Sequence, residues 1–218
     1  MTRVVVTCGP SYEPIDEVRR LTNFSTGEVG ILLANALASA GYDVVCFKGV
    51  GATCPRPLEG AQLVSFATNE NLLGGLEALE ERAAVAGVFH AAALSDFRVK
   101  SVQRQDGTEI AARKIPSRES ELILHLSPAE KVISHLRHLF PVSRIVGWKY
   151  ELHGPRSDSL QAAFRQIEEN RTDVCVLNGD GYGAGFGCLE PGAEVVHCAD
   201  KMELCHHLIG WLGEKRDR

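Results

Sequence analysis

The sequence predicts an α/β fold of Rossmann-like type, with a mostly parallel central sheet flanked by helices on both faces. Three observations carry that expectation. Short β-branched or apolar runs recur along the chain, and most are followed by segments with apolar residues at helical spacing. The first such pair passes through a glycine-rich turn into a second strand, which makes a βαβ unit with a right-handed crossover. No internal repeat, linker or low-complexity stretch interrupts the alternation, so a single domain over residues 1–218 is expected.

The elements follow in order. Residues 3–7 form a β-branched strand, and residues 8–26 a long polar loop. Residues 27–38 form a helix that stops at Gly41, and residues 43–48 the second strand. Residues 62–66 read as a strand, and residues 69–86 as a helix capped by Thr68 or Asn69. Residues 88–93 are a strand running into a turn of small residues. Residues 98–113 are polar, contain Asp106-Gly107 and lack an apolar period, so a mobile excursion is expected around residues 98–120. Residues 121–126 alternate as a strand, and Pro128 is expected to open a helix at its first position. A strand at 145–150, a helix at 158–170 and a buried strand at 173–177 come next. A glycine-dense loop at 179–187, a late strand at 194–197 and a helix at 201–212 complete the chain.

Composition narrows the function. Lys plus Arg is 23 against 28 for Asp plus Glu, a net charge of −5, which argues against a broad nucleic-acid or anionic-membrane surface. No apolar run reaches the length of a membrane span, and Met1-Thr2-Arg3 leads straight into Val4-Val5-Val6 without a signal-peptide pattern. The seven cysteines are odd in number and contain no CxxC pair, which reads as reduced thiols in a cytoplasm, with no metal site.

Ligands of open α/β sheets bind beyond the carboxyl ends of the strands. The loop there after the first strand holds Gly9, Asp16, Arg19, Arg20, Asn23, Ser25, Thr26, Gly27 and Gly30 before a helix. A helix N-terminus favours a phosphate, which Gly27 and Gly30 would let approach and which Ser25, Thr26 and the arginines would supplement. The same residues also suit an ordinary N-cap with solvated arginines. A dinucleotide fingerprint is disfavoured, because Pro10 follows Gly9 and the other glycines come late. Ala91-Ala92-Ala93-Leu94-Ser95-Asp96-Phe97 leaves backbone open to a ligand beside Asp96, or is a plain turn. His90 reads as hydrogen-bonded structure. Lys114 suits a cation that closes over a phosphate, or a solvated lysine. Trp148 stacks on a base or fills core, and Asn178 binds a ligand or makes an Asn-Gly turn.

Taken together, these stretches resemble the phosphopantothenoylcysteine synthetase (phosphopantothenate–cysteine ligase) family, in its free-standing form. The first loop carries the resemblance most specifically, with Glu13-Pro14-Ile15-Asp16-Glu17-Val18-Arg19 and Thr22-Asn23-Phe24-Ser25-Thr26-Gly27-Glu28-Val29-Gly30. The turn at residues 91–97, Lys114-Ile115 and Val146-Gly147-Trp148-Lys149-Tyr150-Glu151 follow in the family's order over nearly the whole chain. The resemblance implies a Rossmann-like homodimer in coenzyme A biosynthesis. It would ligate 4′-phosphopantothenate and L-cysteine with CTP or ATP and Mg²⁺, through an acyl-nucleotidylate. By the same resemblance, Gly9, Ser25, Gly27, Gly30, Trp148 and Asn178 fall where nucleotide binds. Asn23, Ala92, Ala93 and Asp96 fall where 4′-phosphopantothenate is held, with Arg19 reaching in from the other subunit. Asn23 and Lys114 take the catalytic places, Lys114 closing over the activated intermediate.

The sequence also departs from the family. Pro116 and Ser117 replace later lysines of a KxKK-like motif, Gln166 and Asn170 stand where bacterial relatives have lysines, and Asn178-Gly179 replaces Asn-Asp. The flavin-dependent decarboxylase domain often fused upstream in the family is expected to be absent here, with decarboxylation done by another polypeptide. Two alternatives follow: a nucleotide-binding relative that has lost catalysis, and an NAD(P)-dependent reductase. The latter is weakened by the missing compact glycine turn and Tyr-x-x-x-Lys pair.

Overall fold

Eight strands form one sheet in the order β12-β11-β10-β9-β6-β1-β4-β5 in a computed structural model of the protein, which describes residues 1–111, 113–119 and 121–214. Ala112 and Ser120 of the expected excursion, and residues 215–218 of the expected domain, lie outside the described residues. The parallel core comprises β1 (Arg3–Cys8), β4 (Asp43–Gly49), β5 (Ala61–Phe66), β6 (Val85–His90), β9 (Arg144–Tyr150) and β10 (Val174–Gly179). Two further strands, β11 (Gly183–Leu189) and β12 (Val196–Cys198), continue it in antiparallel fashion.

Alternation along β1 sends Val4, Val6 and Cys8 to one face and Val5 to the other. The first face is covered by α1 (Glu28–Ser39) and α5 (Lys201–Gly213). Gly30, Ile31, Leu33, Ala34 and Leu37 form the buried stripe of α1, at the spacing an amphipathic helix needs. The second face is covered by α2 (Asn69–Glu77), α3 (Val132–Leu139) and α4 (Arg156–Asn170).

Several expectations need correction. The helix expected over 69–86 ends at Glu77, and a 3₁₀ turn at Arg82–Ala84 leads into β6. Glu81 there has φ +55°, a left-handed turn that apolar periodicity does not register. Its start is as expected, with Thr68 capping through a reciprocal box with Asn71. Pro128 closes β8 (Ile123–Pro128) and does not open a helix, since α3 begins at Val132 after Lys131. The glycine-dense loop at 179–187 is in part the strand β11, which glycines at an edge hairpin concealed. The excursion leaves the central sheet as expected: its first residues, up to Gln103, belong to a two-stranded ribbon, and its described residues beyond form turns with one isolated bridge between Gln103 and Glu109. In the ribbon β7 (Phe97–Gln103) pairs antiparallel with β8, so the strand expected at 121–126 joins it and not the sheet. A second small hairpin, β2 (Tyr12–Pro14) with β3 (Arg20–Thr22), lies inside the loop expected to be irregular.

Candidate active site

Two loops leave the sheet side by side. Beyond the ends of β1 and β6, Ala91 N–H donates to Thr7 O at 3.0 Å, Ala93 N–H to Gly9 O at 3.0 Å and Ser11 N–H to Ala93 O at 3.2 Å. This zipper extends the parallel pairing outward and joins Gly9 to the turn that holds Ala92 and Ala93. Ser95 N–H donates to Ser11 Oγ at 2.9 Å, and Asn23 Nδ2 donates to Leu94 O at 2.8 Å. Asn23, Gly9, Ala92 and Ala93 are thereby gathered at one end of the sheet. Asp96 follows on the same turn with its side chain exposed, and its carbonyl accepts from Ala129 N–H at 2.9 Å.

The turn rests on a buried network. Thr7 Oγ1 accepts from Ala92 N–H at 3.3 Å and lies 2.9 Å from His90 Nδ1. The threonine hydroxyl, which can accept twice and donate once, serves the His90 ring in either tautomer while it holds Ala92 N–H. Burial pushes the His90 imidazole down to about 4, which keeps it neutral. Asn69, at the start of α2, donates to Ser95 O at 2.8 Å and to Glu130 O at 3.0 Å. Sequence reading set His90 aside as structure, as is found. It passed over Thr7, Ser11 and Asn69, for which no local pattern exists.

The start of α1 forms the adjoining wall. Gly27, at φ +76°, is the residue before the helix, in the left-handed region that suits glycine. A Cβ there would lie 3.1 Å from Ala52 Cβ and 3.2 Å from Gly9 Cα, and one at Gly9 (φ +78°) would lie 2.8 Å from Ala52 Cβ. Gly9 and Gly27 are thus packed together where the first strand turns away. The N-cap reading of Ser25 and Thr26 is corrected: their hydroxyls accept from Gly27 N–H and Glu28 N–H, each at 3.3 Å, in local turns. Both hydroxyls keep a proton to donate, and the first-turn N–H groups of Val29 and Gly30 have no intrahelical acceptor. Gly30 itself is buried against β1, where an added Cβ would come within 2.2 Å of Cys8 Cβ.

Lys114 is held in place by its neighbours. Asp16, whose side chain is 0% exposed, accepts from Val18 N–H and Arg19 N–H through Oδ1, and from Arg19 Nη1 and Ile115 N–H through Oδ2. Arg19 Nη1 also reaches Ile115 O at 3.2 Å. Glu17 N–H donates to Arg113 O at 3.0 Å, and Ile115 is 1% exposed, a burial worth about 2 kcal/mol. Burial alone would raise the Asp16 carboxyl, but the N–H groups of Ile115, Val18 and Arg19 and the Arg19 charge outweigh it and hold it at about 2. The exposed Lys114 therefore stands between two anchored residues. Arg19 spends one terminal nitrogen within its own chain, and the rest of its fork has no partner among the described residues.

Trp148 and Asn178 lie at the carboxyl ends of β9 and β10, paired with Val176 and Tyr150. The half-buried indole packs on the core beneath α1 and α5, and its Nε1 is buried with no acceptor among the described residues. Glu151 N–H donates to Asn178 O at 2.9 Å, and a Cβ at Gly179 (φ +108°) would come within 2.4 Å of Glu151 O. The glycine of the Asn-Gly pair is therefore required by the backbone there. Gln166 donates to Trp148 O at 3.0 Å and accepts from Cys175 Sγ at 3.0 Å, while Asn170 ends α4 before the amino end of β10. Asn170 thus lies at the opposite end of the sheet from the crevice, whereas Gln166 sits beside Trp148 and is spent on bonds within the fold. All seven cysteines are free and buried, and burial pushes the Cys175 and Cys205 thiols up to about 12, too high for a nucleophile near neutrality.

Known proteins share this fold. The family described as the DNA/pantothenate metabolism flavoprotein C-terminal domain matches residues 1–207. A curated relative, the coenzyme A biosynthesis bifunctional protein CoaBC of Thermococcus kodakarensis, is 32% identical over 176 residues, 81% of this chain and 41% of that protein. Its namesake from Haemophilus influenzae is 31% identical over 97% of this chain and 51% of its own. The chain thus spans about half the length of these relatives. A crystal structure of the DNA/pantothenate metabolism flavoprotein from Streptococcus pneumoniae superposes with a TM-score of 0.83 at 22% identity, covering 97% of this chain and 98% of that one. A Cab2 mutant in complex with phosphopantothenate-cysteine superposes with a TM-score of 0.71 at 19% identity, covering 96% and 85%. The chain belongs to the DNA/pantothenate metabolism flavoprotein C-terminal domain family, the phosphopantothenoylcysteine synthetase type that its first loop resembles.

Proposed function

We propose that the protein is a phosphopantothenate–cysteine ligase that uses CTP or ATP with Mg²⁺ and passes through an acyl-nucleotidylate. The observation that carries this reading is the tie between Asn23 and Leu94, which joins the loop before α1 to the small-residue turn at the carboxyl end of the sheet. A structural neighbour's complex with phosphopantothenate-cysteine supports it.

In the first step the 4′-phosphopantothenate carboxylate attacks the α-phosphorus, a P–O bond forms, and the bond to pyrophosphate breaks. Carboxylate and triphosphate repel, so N–H and O–H donors at the start of α1, with Ser25 and Thr26, would offset the developing charge. In the second step the cysteine amine attacks the acyl carbon, a C–N bond forms, and the nucleoside monophosphate leaves while the amine gives up a proton. Asn23 would donate its second amide hydrogen to the acyl group, and Lys114 would face the same intermediate. Ala92, Ala93 and Asp96 would hold 4′-phosphopantothenate, and Gly9, Gly27, Trp148 and Asn178 the nucleotide, with Trp148 Nε1 as an unused donor. Gly30 would act beneath them as the close contact that seats α1.

Mg²⁺ would enter on the triphosphate, held chiefly by its oxygens and water. Among the described residues no three His, Cys, Asp or Glu side chains come together to hold a metal. A homodimer is part of the proposal, with Arg19 serving the neighbouring site. Exposed Phe97, Ile123, Leu124 and Leu126 on the β7–β8 ribbon offer an apolar surface for it. A cytoplasmic location fits the seven free thiols. No described helix is long and apolar enough to cross a membrane. The test is mass-spectrometric detection of phosphopantothenoylcysteine with all substrates present. Product that persists when nucleotide is omitted would overturn the mechanism.

A further inference from the structure

Asp16 joins two parts of the chain that each carry a cation, Arg19 and Lys114. Its Oδ1 makes only local bonds, to Val18 N–H at 2.8 Å and Arg19 N–H at 2.6 Å. Its Oδ2 makes the distant one, to Ile115 N–H at 3.1 Å, and also takes Arg19 Nη1 at 2.6 Å. Arg19 then closes the ring by donating to Ile115 O at 3.2 Å. One enclosed carboxylate thereby fixes the orientation of a guanidinium and the position of the residue next to Lys114. Among the described residues, the other polar links between these segments are one backbone bond, from Glu17 to Arg113, and the exposed Arg113–Glu17 pair.

We propose that Asp16 is a positioning residue, which sets Arg19 and the Lys114 segment in fixed relation through a single carboxylate oxygen. What those two cations do rests on the ligase reading, whereas the clasp rests on geometry alone. A charge-assisted bond in an enclosed place is stronger than a neutral one and is costly to leave half-made. Removing Oδ2 should therefore release the segment without unfolding the sheet beneath it.

Asp16→Asn makes that separation. Its amide oxygen can keep the local turn with Val18 and Arg19, while its NH₂ group then faces two donors, Ile115 N–H and Arg19 Nη1. Limited trypsin digestion of the full chain, read by mass spectrometry, should show cleavage after Arg113 and Lys114 rising roughly 10- to 100-fold. Glu17→Gln, which removes only the exposed pair, should change that cleavage less than about threefold. In steady state, Asp16→Asn should raise KM for 4′-phosphopantothenate and lower kcat, with the nucleotide KM unchanged. Asp16→Ser, which also retains a turn-forming oxygen, should behave alike and replaces the asparagine variant if that one folds poorly.

Unchanged cleavage, or a rise equal to that of Glu17→Gln, would overturn the clasp. A nucleotide KM that rises in step with that of 4′-phosphopantothenate would also overturn it, as general loosening. If cleavage rises as stated while the wild-type chain makes no phosphopantothenoylcysteine, the ligase reading fails and the clasp stands.

Discussion

Gly30 lies directly against Cys8: a Cβ on the glycine would sit 2.2 Å from the cysteine Cβ. The first helix of the site is therefore seated on the first strand by the absence of a side chain. In an ordinary helix Gly→Ala gains about 1 kcal/mol. Here the overlap reverses the sign, and Gly30→Ala should destabilise the fold by roughly 1–3 kcal/mol, as overpacking does. Cys8→Ala should not rescue it, because the contact is with Cβ and not sulfur. Chemical denaturation of the three variants checks both statements.

Lys114 has the opposite profile. Its side chain is exposed, so Lys114→Ala should change stability by less than about 0.5 kcal/mol. Turnover should fall on the order of 100-fold or more if the ammonium serves the intermediate. A variant with near-normal turnover would mark it as an ordinary surface lysine.

Asn23→Asp tests the tie to the small-residue turn. A carboxylate would face Leu94 O with no proton to donate, so the loops should separate locally at a cost of about 1 kcal/mol. Ligation should drop much further than melting temperature does. Equal losses would mean that Asn23 serves the fold alone.

The buried His90 predicts a pH dependence of stability. Its folded pKa, about 4, lies below the ordinary value near 6.5, so the unfolded chain binds the proton first. The stabilisation is complete above about pH 6.5 and is lost as pH falls toward 4, by on the order of 3 kcal/mol. Asp16, also depressed, adds a loss as pH falls from about 4 toward 2. Denaturation midpoints measured against pH should decline across the first window, and His90→Phe should flatten that decline.

If Arg19 serves a neighbouring subunit, the active species is a dimer. Sedimentation at micromolar concentration with activity measured in parallel should show a dimer. A fully active monomer would confine Arg19 to its own chain.

The main strands and helices were legible because apolar period reports burial, and burial is what the central sheet supplies. The end of α2 was not, since a left-handed Glu81 leaves no mark on periodicity. Nor was the fate of β8, whose alternation fits a ribbon as well as a sheet and whose partner β7 is polar. In the site, Gly27 and Asn23 were legible through their motif. The bond between Asp16 and Ile115 spans 99 positions, and Thr7 meets His90 across 83, distances over which a single sequence carries no local signal.

The central claim is acyl-nucleotidylate ligation, and the direct measurement is pyrophosphate release with 4′-phosphopantothenate and Mg²⁺, using CTP and ATP in turn, with and without cysteine. Release that depends on 4′-phosphopantothenate is expected, with nucleoside monophosphate appearing in step once cysteine is added. Nucleotide that binds but yields no pyrophosphate under any of these conditions would contradict that claim and leave a catalytically silent relative.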